Sequence, residues 1–133
     1  MFKIYIDGAS KGNPGPAGIG VVVKDGEGRV IRRLARSIGE ATNNTAEYRA
    51  LLEALKEAYR LNPARSGVGI LICSDSELLV KQINGIYKVR AEGLLPLFNQ
   101  AKAALRGLKG AQVTHIDRRE NKEADALARR ARG

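Results

Sequence analysis

The sequence has a single cysteine, Cys73, set in an apolar run that reads as core. An intrachain disulfide is thereby excluded, and a reducing cytoplasmic setting is expected. No apolar run approaches the roughly 18 residues of a membrane span, so no membrane partner is expected. The first residues enter a strand-like pattern directly, without the apolar segment of a signal peptide, and no lipidation signal accompanies the basic charge. Repeats, low-complexity segments and composition breaks are lacking, which predicts one domain over residues 1–133, long enough for a real core. Acidic residues are the scarcer charge: 14 Asp and Glu face 23 Lys and Arg, a net charge of +9. That surplus favours a polyanion, and counterion release makes nucleic acid the natural one, with no base sequence implied. A merely soluble basic surface is the alternative. A monomer is expected.

Hydrophobic periodicity orders the elements. Phe2, Ile4 and Ile6 alternate with Lys3, Tyr5 and Asp7, the period of a strand. Gly8 to Gly18 reads as a Gly/Pro/Ser/Asn loop, Ile19 to Lys24 as a second strand, and Asp25-Gly26-Glu27-Gly28 as a hairpin turn. Arg29 to Ile38 alternates Arg with apolar residues, a third strand with one wet face. A helix over Thr45 to Leu61 carries the stripe Tyr48, Leu51, Leu52, Leu55 and Tyr59 and closes at Pro63. Gly69 to Ser74 is a short buried strand, Ser76 to Asn84 a helix, and Leu94 to Leu108 another with Leu95, Phe98, Ala101, Ala104, Leu105 and Leu108 inward. Ala111 to Asp117 is the fifth strand and Asn121 to Arg132 the last helix. Hairpin strands want antiparallel pairing, and strands alternating with helices want parallel pairing through right-handed crossovers. The fold class is therefore α/β: a mixed five-stranded sheet with helices on both faces.

Against this order four acids stand out. Asp7 and Asp75 each end a strand-like run, Asp125 follows the fifth strand, and Glu47 opens the long helix. Acids at the carboxyl ends of neighbouring strands converge on one edge, and converging carboxylates raise one another's pKa unless a cation joins them. Their hard oxygens imply magnesium or manganese and a two-metal site for phosphodiester chemistry. Each acid also has a plainer explanation. Asp7-Gly8 suits a turn, Glu47 a capping box with Asn44, Asp75 or Ser76 a helix cap, and Asp125 an ion pair with Arg129.

The local contexts decide between these. Ile4-Tyr5-Ile6-Asp7-Gly8-Ala9-Ser10 with the following Lys11 to Gly18, then Thr42-Asn43-Asn44-Thr45-Ala46-Glu47-Tyr48, Ser74-Asp75-Ser76-Glu77 and Asn121-Lys122-Glu123-Ala124-Asp125-Ala126-Leu127-Ala128 resemble, in order and at family spacing, the four motifs of type 1 ribonuclease H. The resemblance covers the whole chain. It implies the ribonuclease H-like fold and endonucleolytic hydrolysis of the RNA strand of an RNA/DNA hybrid, leaving 5′-phosphate and 3′-hydroxyl ends. Asp7, Glu47, Asp75 and Asp125 would bind two Mg2+ ions, with Mn2+ as a substitute and Asp7 bridging both. One ion would activate the attacking water and the other stabilise the leaving 3′-oxygen. Asn13, Asn43 and Asn44 match positions that contact 2′-hydroxyls and minor-groove edges, and Thr42 one at a DNA phosphate. Helix capping is the other use of Asn43 and Asn44. Arg118, on the connection after the fifth strand and with Arg119 as its alternative there, is expected to assist near the scissile phosphate rather than His115, whose ring reads as held within the sheet.

The chain resembles a short form of the family. The extra helix and basic loop of better-known bacterial members are missing between Lys81 and Gly93, Glu77 stands where they have glutamine, and the N-terminal hybrid-binding module of some relatives is not expected. Rival readings are a binding module of the same fold without chemistry, another nuclease of the superfold, and a nucleotide-phosphate binder. The last lacks a Lys-Ser/Thr after its glycines.

Overall fold

A computed structural model describes residues 1–64 and 67–133. It opens with strands β1 (Phe2–Ser10), β2 (Gly15–Lys24) and β3 (Val30–Ala41). Helix α1 (Asn43–Leu61), strand β4 (Ile70–Ser74) and helix α2 (Glu77–Ile83) follow. A 3-10 turn (Glu92–Leu94) leads into α3 (Leu95–Arg106), then come β5 (Ala111–His115), a second 3-10 turn (Arg118–Glu120) and α4 (Lys122–Arg132). The strands make one sheet in the order β3-β2-β1-β4-β5. β1 pairs antiparallel with β2, and β2 with β3, while β4 lies parallel to both β1 and β5. This is the mixed sheet that the order of hairpins and helical crossovers predicts.

The two faces are filled differently. On one, α1 lays Tyr48, Leu51 and Leu55 on Ile4, Ile6 and Ile72, all with at most 2% of their surface exposed. Each such side chain contributes about 1.5–3 kcal/mol of burial. Ala46, Ala50, Ala54 and Ala58 recur at four-residue steps and are wholly buried, so the helix backbone comes close to the sheet. Leu52 and Tyr59 pack at the margin of this core. On the other face α4 covers only a small cluster of Val22, Ala124 and Leu127. There the contact is backbone on backbone: a β-carbon on Gly20 would fall 2.2 Å from the Ala124 carbonyl oxygen.

Three expectations need correction. Gly8 to Gly18 is a loop only at residues 11–14. β1 continues to Ser10 and β2 begins at Gly15, with register pairs Gly8↔Ile19, Ala9↔Gly18 and Ser10↔Ala17. Gly8 and Gly18 mark close approach of helices to strands, while Gly12, at φ 90°, belongs to the short connection between the strands. Leu95 is exposed, and Leu94, turned inward by the 3-10 turn that precedes α3, takes the buried place. β3 is wetter than an alternating strand, because it is the sheet edge and carries a register shift beside Gly39.

Candidate active site

Asp7 lies inside β1, not at its end. Parallel pairing to β4 stops at Ile6↔Ser74, while antiparallel pairing to β2 continues through Asp7↔Gly20. The side chain therefore sits at the fork where β4 leaves the sheet. Asp75 is the first residue beyond that strand's end, so both acids do meet at one edge. Ser76, not Asp75, caps α2: its hydroxyl accepts the Leu79 N–H at 3.2 Å. Asp75 is left to accept from the Asn121 side-chain amide at 3.1 Å, and the same amide donates to the Ile6 carbonyl at 2.8 Å.

Glu47 comes from α1. The cap of that helix is Thr42, whose Oγ1 accepts the Thr45 N–H at 3.1 Å. Neither Asn43 nor Asn44 is the cap, and Glu47 makes no capping box with Asn44. Glu47 Oε1 instead accepts the Gly8 N–H at 2.6 Å. The approach needs glycine, since a β-carbon on residue 8 would stand 2.3 Å from the Ala46 carbonyl carbon. Asp125, on the first turns of α4, does form the ion pair with Arg129 that its spacing suggests, at 3.2 Å.

Asp7, Glu47 and Asp75 converge: an oxygen from each lies within 4.8 Å of the others. Asp125 stands outside this triplet but lines the same cleft, of about 330 Å³. The Asp7 carboxyl is held well above the usual carboxylate range, first by burial, then by the charge of Glu47 and hydrogen bonding to Asp125, then by Asp75. Glu47 is raised too, by burial and by Asp75, against the lowering pull of the Gly8 N–H and Arg118. Close, buried hard oxygens that repel one another suit a small divalent cation.

Asn43, Asn44 and Arg118 also line the cleft. Asn43 Oδ1 accepts from both the N–H and the hydroxyl of Ser10, at 2.9 and 3.1 Å. Asn13 and Thr42 sit outside the lining. Asn13 Oδ1 takes the Asn43 N–H at 3.1 Å, so it steadies the start of α1. His115 ends β5 with an exposed ring, neither packed in the sheet nor in the cleft.

A family model described as reverse transcriptase-like matches residues 5–131. A ribonuclease HI of Halobacterium salinarum is 41% identical over 128 residues, 96% of this chain. The chain belongs to the type 1 ribonuclease H family. The crystal structure of an RNase H1 from the same halophilic archaeon superposes with a TM-score of 0.90 at 38% identity, covering 98% of this chain and 96% of that one. LC11-RNase H1, crystallised in complex with an RNA/DNA hybrid, gives 0.93 at 37% identity, over 98% and 96%. The chain spans 62% of the length of the Halobacterium ribonuclease HI. As expected of a short-form ribonuclease H, residues 84–91 contain no additional helix.

Sequence reading missed three residues at this ribonuclease H cleft. Ser10 and Arg132 line it, and Asn121 is 1% exposed behind it. Ser10 and Asn121 had a signal, as polar residues of the first and fourth motifs, and Arg132 had none of its own.

Proposed function

We propose that this chain is an endonuclease that hydrolyses the RNA strand of RNA/DNA hybrids, leaving 5′-phosphate and 3′-hydroxyl ends. The observation that carries the reading is the convergence of Asp7, Glu47 and Asp75 in one cleft of a ribonuclease H family member. The hybrid in the LC11-RNase H1 complex supports the substrate class. Asp7, Glu47, Asp75 and Asp125 would hold two divalent cations, Mg2+ by preference with Mn2+ as a substitute. Two such ions, when bound, supply a water activated for attack and charge stabilisation at the leaving 3′-oxygen.

The protein's own part is orientation. The Gly8 N–H fixes one oxygen of Glu47, and the Asn121 amide fixes one of Asp75. Their remaining lone pairs are left for ligation. Asn43 and Asn44 read the 2′-hydroxyls that distinguish RNA, with Asn13 holding Asn43 in register. Thr42 stands at a DNA phosphate, and Arg118 stabilises charge at the scissile phosphate by paired hydrogen bonds. We further propose that residues 1–133 form one ribonuclease H domain, acting as a monomer in the cytoplasm. No helix among the described residues is long and apolar enough to cross a membrane.

Digestion of matched RNA/DNA, RNA/RNA and DNA/DNA duplexes with magnesium tests the reading. Cleavage confined to the RNA of the hybrid is expected. Folded protein that leaves the hybrid intact would overturn it.

A further inference from the structure

Three arginines line the carboxylate cleft. Arg129 is committed to Asp125, and Arg118 offsets the charge of Glu47. Arg132 has no carboxylate partner among the described residues. Its only hydrogen bond there is a long one, from Nη1 to the Ser10 carbonyl at 3.3 Å, and its Nε is buried without any acceptor. A guanidinium carries five N–H donors in a rigid fork. Leaving a buried one unsatisfied is unfavourable, and native structures seldom do so without cause.

The backbone that carries this arginine is held closely. Arg132 ends α4, and the last turn is seated on β2 so closely that a β-carbon on Gly18 would fall 2.5 Å from the Arg132 nitrogen. A basic residue in a last turn is common, because it favours the helix's own carbonyls. Here, however, the guanidinium reaches across to β1 rather than back to α4. A fixed, half-buried cation with unused donors, facing a cleft in a strongly basic protein, calls for an anion from outside.

We propose that Arg132 is a phosphate-binding residue for the RNA strand, gripping a phosphate two or three nucleotides from the scissile one. The inference rests on the proposed hybrid substrate. Its Ser10 contact sets the strand, because Ser10 also holds Asn43, which is on the 2′-hydroxyl side. The same contact sets the distance. Ser10 is three residues beyond Asp7, roughly 10 Å along a strand, and successive phosphates advance about 3.4 Å along a duplex axis. The phosphate is then two or three nucleotides from the cut. A planar fork suits two phosphate oxygens in a way that a lysine ammonium does not.

The test is equilibrium binding of the full chain to a fluorescent hybrid in EDTA, so that no cleavage intervenes. Arg132→Ala should bind about 3–10-fold more weakly, with a salt slope shallower by about one, and Arg132→Lys should fall between. An uncharged methylphosphonate is then walked along each strand, with a 2′-O-methyl phosphate control at every step of the RNA. Wild type should lose affinity at one RNA step two or three nucleotides from the cut, and Arg132→Ala should be indifferent to that step. If Arg132→Ala does not fold, the wild-type scan decides by itself. Wild-type affinity and slope in Arg132→Ala, no sensitive RNA step, or a sensitive step only in the DNA strand would each overturn the assignment. Wild type that does not bind hybrid at all would instead sink the functional reading on which it rests.

Discussion

The Glu47 carboxylate accepts the backbone N–H of Gly8 at 2.6 Å. One bond thus joins the first long helix to the central strand and aims a carboxylate at the cleft. It exists only because residue 8 has no side chain. Gly8→Ala should push α1 off β1 and cost about 1–3 kcal/mol by overpacking, with activity falling further than the folded fraction does. Chemical denaturation and kinetics on the same samples check this, and an unchanged denaturation midpoint would contradict the close approach.

Asp7→Asn and Asp75→Asn should each abolish cleavage while leaving the fold intact. The amide keeps the size of the acid but loses the charge that holds a cation. Turnover above about a tenth of wild type, a difference of roughly 1.4 kcal/mol, would refute the ligand role for that residue.

Stability should depend on pH in a direction opposite to that of most paired carboxylates. Asp7 and Glu47 have folded-state pKa values above their ordinary ones. The native state therefore binds more protons than the unfolded chain between those values, and stability falls as pH rises. Metal-free protein should melt higher near pH 5 than near pH 8. Saturating magnesium should lessen the difference, and Asp7→Asn should lessen it without metal. Melting curves in EDTA that rise across this range would contradict the raised pKa values that burial and mutual repulsion give these acids.

Thr42 and Asn44 should separate stability from recognition. Thr42 caps α1, so Thr42→Ala should cost about 1 kcal/mol of stability. Asn44 lines the cleft and does not cap the helix. Asn44→Ala should hurt hybrid cleavage by roughly 1–3 kcal/mol while barely moving the melting temperature. The reverse pattern, with Asn44→Ala unstable but fully active per folded molecule, would remove it from the substrate site.

Arg118→Ala should lower turnover more than His115→Ala, after each is corrected for folded fraction. Arg118 lines the cleft and His115 does not. Steady-state kinetics at saturating magnesium decide it, and a large loss for His115→Ala with none for Arg118→Ala would reverse the assignment.

Much of this could be read from residue order. The long helix declared itself through Tyr48, Leu51 and Leu55, and the antiparallel and parallel halves of the sheet through hairpins followed by helices. The convergence of Asp7, Glu47 and Asp75 was legible from their contexts, and Asp125 lines the same cleft outside that triplet. What was not legible came from contacts made by absent side chains. Gly8 and Gly18 look like loop residues in sequence, yet each is a strand residue under a helix backbone. Composition cannot tell a glycine needed for a turn from one needed for close approach. Arg132 and Asn121 were hidden for a second reason. Their partners, Ser10 and Ile6, lie 122 and 115 residues away, and no local pattern reports so distant a pairing. His115 was placed on the correct strand, but the wet end of an edge strand was mistaken for the interior.

The seat of α4 on Gly18 and Gly20 decides how the cleft is completed. Asp7 stands on β1, Glu47 on α1 and Asp75 just beyond β4, whereas the fourth acid of the cleft is carried separately by α4, which is seated on β2. The cleft is therefore complete only once α4 has docked, and a change that loosens this helix from β2 should displace Asp125 while leaving the other three acids together.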